Sequence, residues 1–484
     1  APKRWEQIKL YFKLDFLSKF KNRQYLLITL AEAPVLALLL AIYTRSSRDA
    51  AGNIADYSFG LNANIPAFIF MAVIVALFLG LIISAEEIFR DKKLLERERF
   101  LNLSRSSYLF SKTLVLFCIS AVQMLVFVLI SNYILEIQDM NWRYFVVLFT
   151  TAAWANMIGM NISSGFKSVV TIYILVPLIL VPQLLFSGVV VDFNNLNRSI
   201  QSFNHVPAIG DAMTSRWTYE ALVTTQFRDN RFQKMFFDDE QQMTQSMYKK
   251  AYLIPELQER LQYIQSNIND RKEFNNIQNN LILLRNELYK LEIATNQNYY
   301  TIINKLTIES FDSLVFNHAE QLLSELRENY HNNYVAALEN HNKTYSELLE
   351  ELGGKENFLQ FRLKYANSQL EKIVKNEKEL LQYISYNNHI IKLKDPIYSS
   401  PTEKNGRAKY YSPVKRLGNF YIDTFWFNII IIWLSIIIWF VVLYLDLLFK
   451  LIRYFENIRL RRFNKRIVST LQKHTAQSNK KKQL

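Results

Sequence analysis

The densest run of ionisable side chains adjoins an apolar block: Ser84-Ala85-Glu86-Glu87-Ile88-Phe89-Arg90-Asp91-Lys92-Lys93-Leu94-Leu95-Glu96-Arg97-Glu98-Arg99. Charges of both signs alternate around a narrow apolar stripe through Ile88 and Leu95. On a helix, Glu86 meets Arg90 and Lys92 meets Glu96 at i,i+4 spacing. Such a helix either lies on a membrane surface, laced by ion pairs, or acts as a lever that docks on a cytoplasmic partner. The pattern alone leaves both open. A second ionisable group, Glu32 in Glu32-Ala33-Pro34, falls near the middle of another apolar block, where a charge is expensive. It either faces a path through a helix bundle, holds the helix break at Pro34, or is neutralised by a proton or a partner.

Other chemistries lack their residues. No G-x-x-x-x-G-K-[ST] phosphate loop is present, so no ATP site of the usual kind is expected. The six histidines (His205, His318, His331, His341, His389, His474) show no metal spacing such as H-E-x-x-H. No G-x-S-x-G elbow occurs. Cys118 is the single cysteine, which excludes an intramolecular disulfide and a thiolate metal cluster. A catalytic site within the chain is not expected.

The elements that would position the charged run are membrane helices. Apolar residues form half of the 484 and collect in blocks of about twenty, enough to span a hydrocarbon core roughly 30 Å thick. Six spans are predicted: 24–44, 66–85, 107–135, 142–163, 169–191 and Phe425 to Leu448. Before the first, Arg4 to Lys21 mixes Trp5, Ile8, Leu10, Tyr11 and Phe12 with basic residues, as in a helix lying in the headgroup plane.

The net charge of +14 sits in the flanks. Residues 1–25 carry +5 and 450–484 carry +10, whereas 228–424 is neutral. Basic residues abutting spans mark the cytoplasmic side and attract anionic lipid, so nucleic acid is not an expected partner. Both termini and the segment 86–106 are then cytoplasmic. Arg407, Lys409, Lys415 and Arg416 fall outside, as a weak violation of that rule.

The fifth and sixth spans are joined by an outer excursion of over two hundred residues, and structureless loops of that size are improbable. Leu257, Leu261, Ile264 and Ile268 keep a three-four seam that shifts by six residues and resumes through Phe274, Ile277, Leu281, Leu284, Leu288 and Leu291. One helix over 255–293 would run about 58 Å at about 1.5 Å per residue. A second seam runs from Val315 to Leu352 and stops at Gly353-Gly354. A third helical run follows through Phe358, Phe361, Leu370, Ile373, Leu380 and Ile384. The expected fold is an all-α membrane protein of six transmembrane helices with an extracytoplasmic helical, partly coiled-coil insertion. Its parts are an interfacial helix (1–23), five spans (24–191), an outer re-entrant region (192–227), the arm (228–415), the sixth span (416–449) and a basic tail (450–484).

The charged run resembles the connecting helix of ABCG-class ABC transporter permeases, with an acidic residue, an Asp-basic pair and an Arg-Glu after the second span. Tyr108, Ser111-Lys112 and Gln123 are similar to residues entering the third span of those permeases. Pro182-Gln183-Leu184-Leu185-Phe186-Ser187-Gly188-Val189 resembles the end of their fifth span, and Arg216-Trp217-Thr218-Tyr219-Glu220-Ala221-Leu222 their outer re-entrant region. The arm has no counterpart in the usual family member.

The resemblance implies a homodimer of permeases driven by ABC ATP-binding domains or subunits, which would carry the ATP and Mg. Translocase activity would exist only with that partner, fused upstream or separate. Glu86, Asp91, Arg97 and Glu98 become candidate coupling residues. Leu79, Leu180, Val181 and Leu184 would line the substrate path, with Val189 and Val190 as the apolar plug at its outer end. Such lining suits an amphipathic or lipid-like substrate, exported from a bacterial inner membrane. Two other readings stay open: a permease-like scaffold passing ATP-driven motion through the arm to an extracytoplasmic protein, and a passive coiled-coil tether.

Overall fold

The computed structural model describes residues 3–46, 56–91, 104–166, 168–197, 200–295, 297–401 and 403–454. Arg97 and Glu98 lie outside the described residues. The chain begins with α1 (Arg4–Lys21), α2 (Arg23–Thr44), α3 (Ile65–Ser84), α4 (Arg105–Ile134), α5 (Asn141–Gly165) and α6 (Val169–Leu185). Side-chain caps start two of them, since Asn22 accepts from the Tyr25 amide and Ser104 from the Ser107 amide. After α7 (Thr214–Arg228), the arm holds α8 (Gln233–Tyr248), α9 (Ile254–Asn267), α10 (Phe274–Thr295), α11 (Ser313–Glu351), α12 (Lys355–Tyr365) and α13 (Ser368–Val374). Then come two hairpins, β1 (Tyr383–Tyr386) with β2 (His389–Lys392) and β3 (Val414–Leu417) with β4 (Phe420–Asp423), before α14 (Thr424–Tyr444).

Five of these helices are long and apolar enough to cross a membrane: α2, α3 with its continuation to Asp91, α4, α5 and α14. The block expected to span 169–191 is helical for only 17 residues. At about 1.5 Å per residue that is about 26 Å, the low end for a span. Pro177 and Pro182 withhold two amide donors from α6. Gly188, at φ 80°, then turns the chain.

The centre of the bundle is α5, whose apolar window is 83% buried, whereas that of α2 is 22% buried. Small residues let α3 and α5 touch. A Cβ on Gly80 would strike the Ala152 carbonyl oxygen and come 2.7 Å from the Ala155 Cβ, and one on Gly159 would strike the Ser84 hydroxyl. Polar side chains bond across the helices. Gln123 donates to the Thr29 carbonyl (2.6 Å), Asn156 to Ser120 (2.8 Å), and Asn161 to the Trp439 carbonyl (3.0 Å).

The outer re-entrant region is a helix wedged into the bundle. Near its start, Ser215 bonds to the side chain and carbonyl of Gln183 on α6. Thr218 meets Thr151 midway along α5 at 2.8 Å, and Asp229 beyond the far end pairs with Arg143 at the start of α5. Thus α7 enters deep and leaves at the arm end of the bundle.

The arm departs from the expected seams in two places. Residues 255–293 do not form one rod. A polar stretch, Asn267-Ile268-Asn269-Asp270, interrupts the helix, Asp270 caps a 3₁₀ turn through the Lys272 amide, and α10 folds back along α9. The six-residue step in the seam is a turn. The run after Gly354 is helical only to Val374; Leu380 is 89% exposed, and Ile384 lies in β1 opposite Ile391. In contrast, α11 keeps its seam for 39 residues from an Asp312 cap. It lies against α8 and α9, which a π-turn at Lys249–Leu253 joins into one outgoing rod.

The root of the arm is fixed to the bundle. Asn367 donates to the carbonyls of Phe59 (2.6 Å) and Asn62 (2.9 Å), and Ser368 to that of Gly60 (3.0 Å). Gly60 has no space for a side chain, since a Cβ would lie 2.7 Å from the Leu363 backbone. Leu370, Val374, Ile397 and Tyr398 belong to the same apolar core as the membrane helices.

Candidate functional site

At the α1 end of the bundle, five charged side chains converge on the chain just beyond α3. Lys112 of α4 reaches Asp15 of α1 at 2.5 Å, Asp91 at 2.8 Å and Glu87 at 3.2 Å. Lys19 of α1 pairs with the same Glu87. Tyr108 donates to Asp91 at 2.8 Å, and the Ser163 hydroxyl of α5 accepts the amides of Ile88 and Phe89 at 3.0 and 2.9 Å. The segment after α3 is therefore tied to α1, α4 and α5 together. Two serines seat α1 on α4, with Ser111 donating to the Ile8 carbonyl and Ser107 to that of Arg4.

The cluster holds three carboxylates against two ammonium groups. One Asp15 oxygen is buried with no hydrogen-bond partner. Burial pushes the Asp15 carboxyl above its ordinary range, against the opposite pull of Lys112 and Lys19. Salt-linked groups removed from water hold their geometry tightly, and losing one partner strands the others.

Of the candidate coupling residues, Asp91 lies inside this cluster. Glu86 lies beside it and pairs with the half-solvated Arg90 at 2.9 Å, as the i,i+4 spacing predicted. The most buried member is Glu87, 6% exposed. It was not among the four residues singled out, nor were its partners Lys19 and Lys112. A lysine at the end of a span was the available signal, because a charge there needs a partner.

The candidate path residues divide. Leu79 is fully buried within the bundle, which corrects its placement on an open path; on α3 its neighbour Phe78 is 39% exposed instead. One face of α6 is open along its length, through Val170, Ile174, Leu178, Val181 and Leu185. Leu180 and Leu184 flank that face, half-buried against the core. Val189 and Val190 follow it, and Val190 is 58% exposed. Glu32 is half-buried on α2, one turn past the Thr29 carbonyl that Gln123 holds.

A second charged cluster lies at the arm end. Glu220 and Lys415 are fully buried and joined at 2.7 Å. Asn428 of α14 bonds to the other Glu220 oxygen at 2.9 Å, and Arg216 stands 3.5 Å from it with its guanidinium 3.8 Å above the Trp217 ring. Arg407 pairs with Asp211 at 3.2 Å. Two of the basic residues that violated the charge bias therefore carry carboxylate partners.

Residues 6–227 match the family model of the ABC-2 type transporter membrane domain. This part of the chain is similar to an ABC-2 transporter membrane domain. No curated protein matches the chain. The ABC-2 domain takes in α1 to α7 and so contains the whole Lys112 cluster, the open face of α6 and the re-entrant helix. The protein is a multi-pass membrane protein and a permease component of an ABC transporter. Proteins of this kind work with ABC ATP-binding subunits. The arm from α8 onward lies beyond the ABC-2 match.

Proposed function

We propose that the chain is the permease of an ATP-driven exporter that moves an amphipathic or lipid-like substrate. The cytoplasmic segment 86–106 takes up the motion of the ATPase. The observation that carries this reading is Lys112, which joins α1, α4 and the segment beyond α3 at one point. A push on that segment moves three helices as a unit, because stretching any of its ion pairs leaves a buried charge unpaired. The unpartnered face of α6 supports a dimer in which two copies enclose an apolar route past Val181, Leu184 and Val190. The test is ATP hydrolysis by the reconstituted complex. Reversing charge at Asp91 and Arg97 should abolish substrate-stimulated hydrolysis while leaving the complex assembled. Unaltered stimulation in that double variant overturns the coupling role.

A second reading is favoured by the construction of the arm. The rod of α8 and α9 and the helix α11 run side by side from a root that shares the membrane core, which suits transmission of movement to an extracytoplasmic partner. Excising 254–330 keeps the root and discriminates the two. An exporter retains substrate-stimulated hydrolysis, whereas a mechanotransmitter retains hydrolysis and loses its output.

A further inference from the structure

Beyond the end of α6 the chain encloses a cavity of about 710 Å³ that the ABC-2 domain does not form alone. Residues of Gly188–Asn195 and Ser202–Val206 line it, together with α13 and the turn after it, and Lys409-Tyr410-Tyr411. Val189, Val190, Phe193, Phe203 and Tyr410 give it an apolar, aromatic side. The lining also carries basic residues. Lys372, Lys378 and Lys409 are among them, and none of the three has an ion-pair partner among the described residues.

The acids of the cavity are differently placed. Asp192 accepts the Asn194 amide, and Glu379 accepts the amides of Leu380 and Leu381, so both are engaged by main chain. Glu377 is the remaining carboxylate on the wall. Lys392 is paired with Asp395 at 3.1 Å, and His205 with Glu403 at 3.1 Å.

Lys409 stands out among these groups. Its ammonium donates to the Lys392 carbonyl, and the charges that act on it are the cations Lys392 and Lys290. Burial, reinforced by those cations, lowers its pKa to about 7. Lys409 is half-buried on the cavity wall, and an ammonium partly withdrawn from water without a counter-ion gains from an anion that enters beside it.

We propose that this cavity binds an anionic amphiphile, with a carboxylate or phosphate head at Lys409 and its apolar part against Val189, Val190, Phe193 and Phe203. The two valines continue the open face of α6, so a molecule leaving that route meets the cavity next. The site thereby names the substrate class of the exporter reading and rests on it for the direction of travel. Binding itself does not depend on transport.

The test uses the full-length protein in nanodiscs of zwitterionic lipid, with dansylamino-undecanoic acid as the probe and empty nanodiscs as the background. Saturable binding is expected, displaced by laurate and far less by dodecanol or inorganic phosphate. Lys409→Met should weaken binding about tenfold or more, the effect of losing one charge-assisted bond, and Lys409→Arg should retain most of it. A thermal melt checks that both variants are folded. Equal affinity in Lys409→Met, or equal competition by dodecanol or by inorganic phosphate, overturns the site. If binding behaves as expected but ATP does not drive probe movement, the exporter reading fails and the site stands. If transport is intact and Lys409→Met is indifferent, the reverse holds.

Discussion

Lys112, within the first turns of α4, stands 2.8 Å from Asp91, which lies seven residues past the end of α3. The same ammonium holds Asp15 and Glu87, so one side chain closes three contacts between separate elements. Replacing it by methionine should do more than remove a charge. Three carboxylates would remain together in a buried site, and truncating one member of such a group costs about 3–5 kcal/mol. Lys112→Met should lower the melting temperature, followed by tryptophan fluorescence. Asp15→Asn removes the carboxylate with an orphan oxygen and should be neutral or stabilising. The opposite order would show that the cluster is not balanced as described.

The Glu220–Lys415 pair predicts a cycle of coupled effects. Either Glu220→Gln or Lys415→Met alone strands a fully buried charge and should destabilise by about 3–5 kcal/mol. The double variant should recover a substantial part of that loss, since neither charge is then left uncompensated. Simple addition of the two single effects would contradict a direct interaction at 2.7 Å.

At Gly80 the constraint is steric. Gly80→Ala places a methyl group against the α5 backbone at Ala152, which has no rotamer to yield. Overpacking of this kind costs about 1–3 kcal/mol. Gly159→Ala meets the Ser84 hydroxyl, which can rotate, and should be the milder change. Equal melting temperatures for the two variants would argue against close helix contact at Gly80.

Lys409 gives a prediction in pH. Its folded pKa of about 7 lies below the value of an exposed lysine, about 10.4. The charges facing it are Lys392 and Lys290, and Asp395 is spent on Lys392. Between those two pH values the unfolded chain binds the extra proton, so stability from this group rises with pH across the window. As the pH falls below about 7 the folded state takes up this half-buried charge. Lys409→Met should therefore raise the melting temperature more at pH 6 than at pH 9. A constant difference would place Lys409 in ordinary solvent.

Sidedness is open to a direct assay. In a Cys118→Ser background, a cysteine at Asn298, in the exposed connection after α10, should react in intact cells with a maleimide that does not cross membranes. Reaction only after lysis would invert the proposed topology.

The membrane blocks were legible because an apolar run of about twenty residues has few other uses in a sequence. Long-range pairing was not. Asp15 and Lys112 are 97 positions apart, and Glu220 and Lys415 are 195 apart, so no local spacing betrays them. Lys415 even counted against the topology by its charge, while its buried partner was already in view within Arg216-Trp217-Thr218-Tyr219-Glu220. The turn at Asn267-Ile268-Asn269-Asp270 was hidden for another reason. A six-residue shift in a seam reads the same whether a rod continues or doubles back, and only the packing of α10 on α9 decides it. For Leu79, residue type could not tell a buried leucine from an exposed one.

The bonds from Asn367 and Ser368 to residues 59–62 bear on how far the protein can reach. They clamp the arm to the chain entering α3, and the far end of α3 carries the segment held by Lys112. With α11 about 58 Å long at about 1.5 Å per residue, a rocking of α3 by about 5° would sweep the arm's tip through about 5 Å. On the proposed topology, a small displacement at the Lys112 end would thereby be magnified at the arm's tip across the bilayer, with the membrane itself as the pivot.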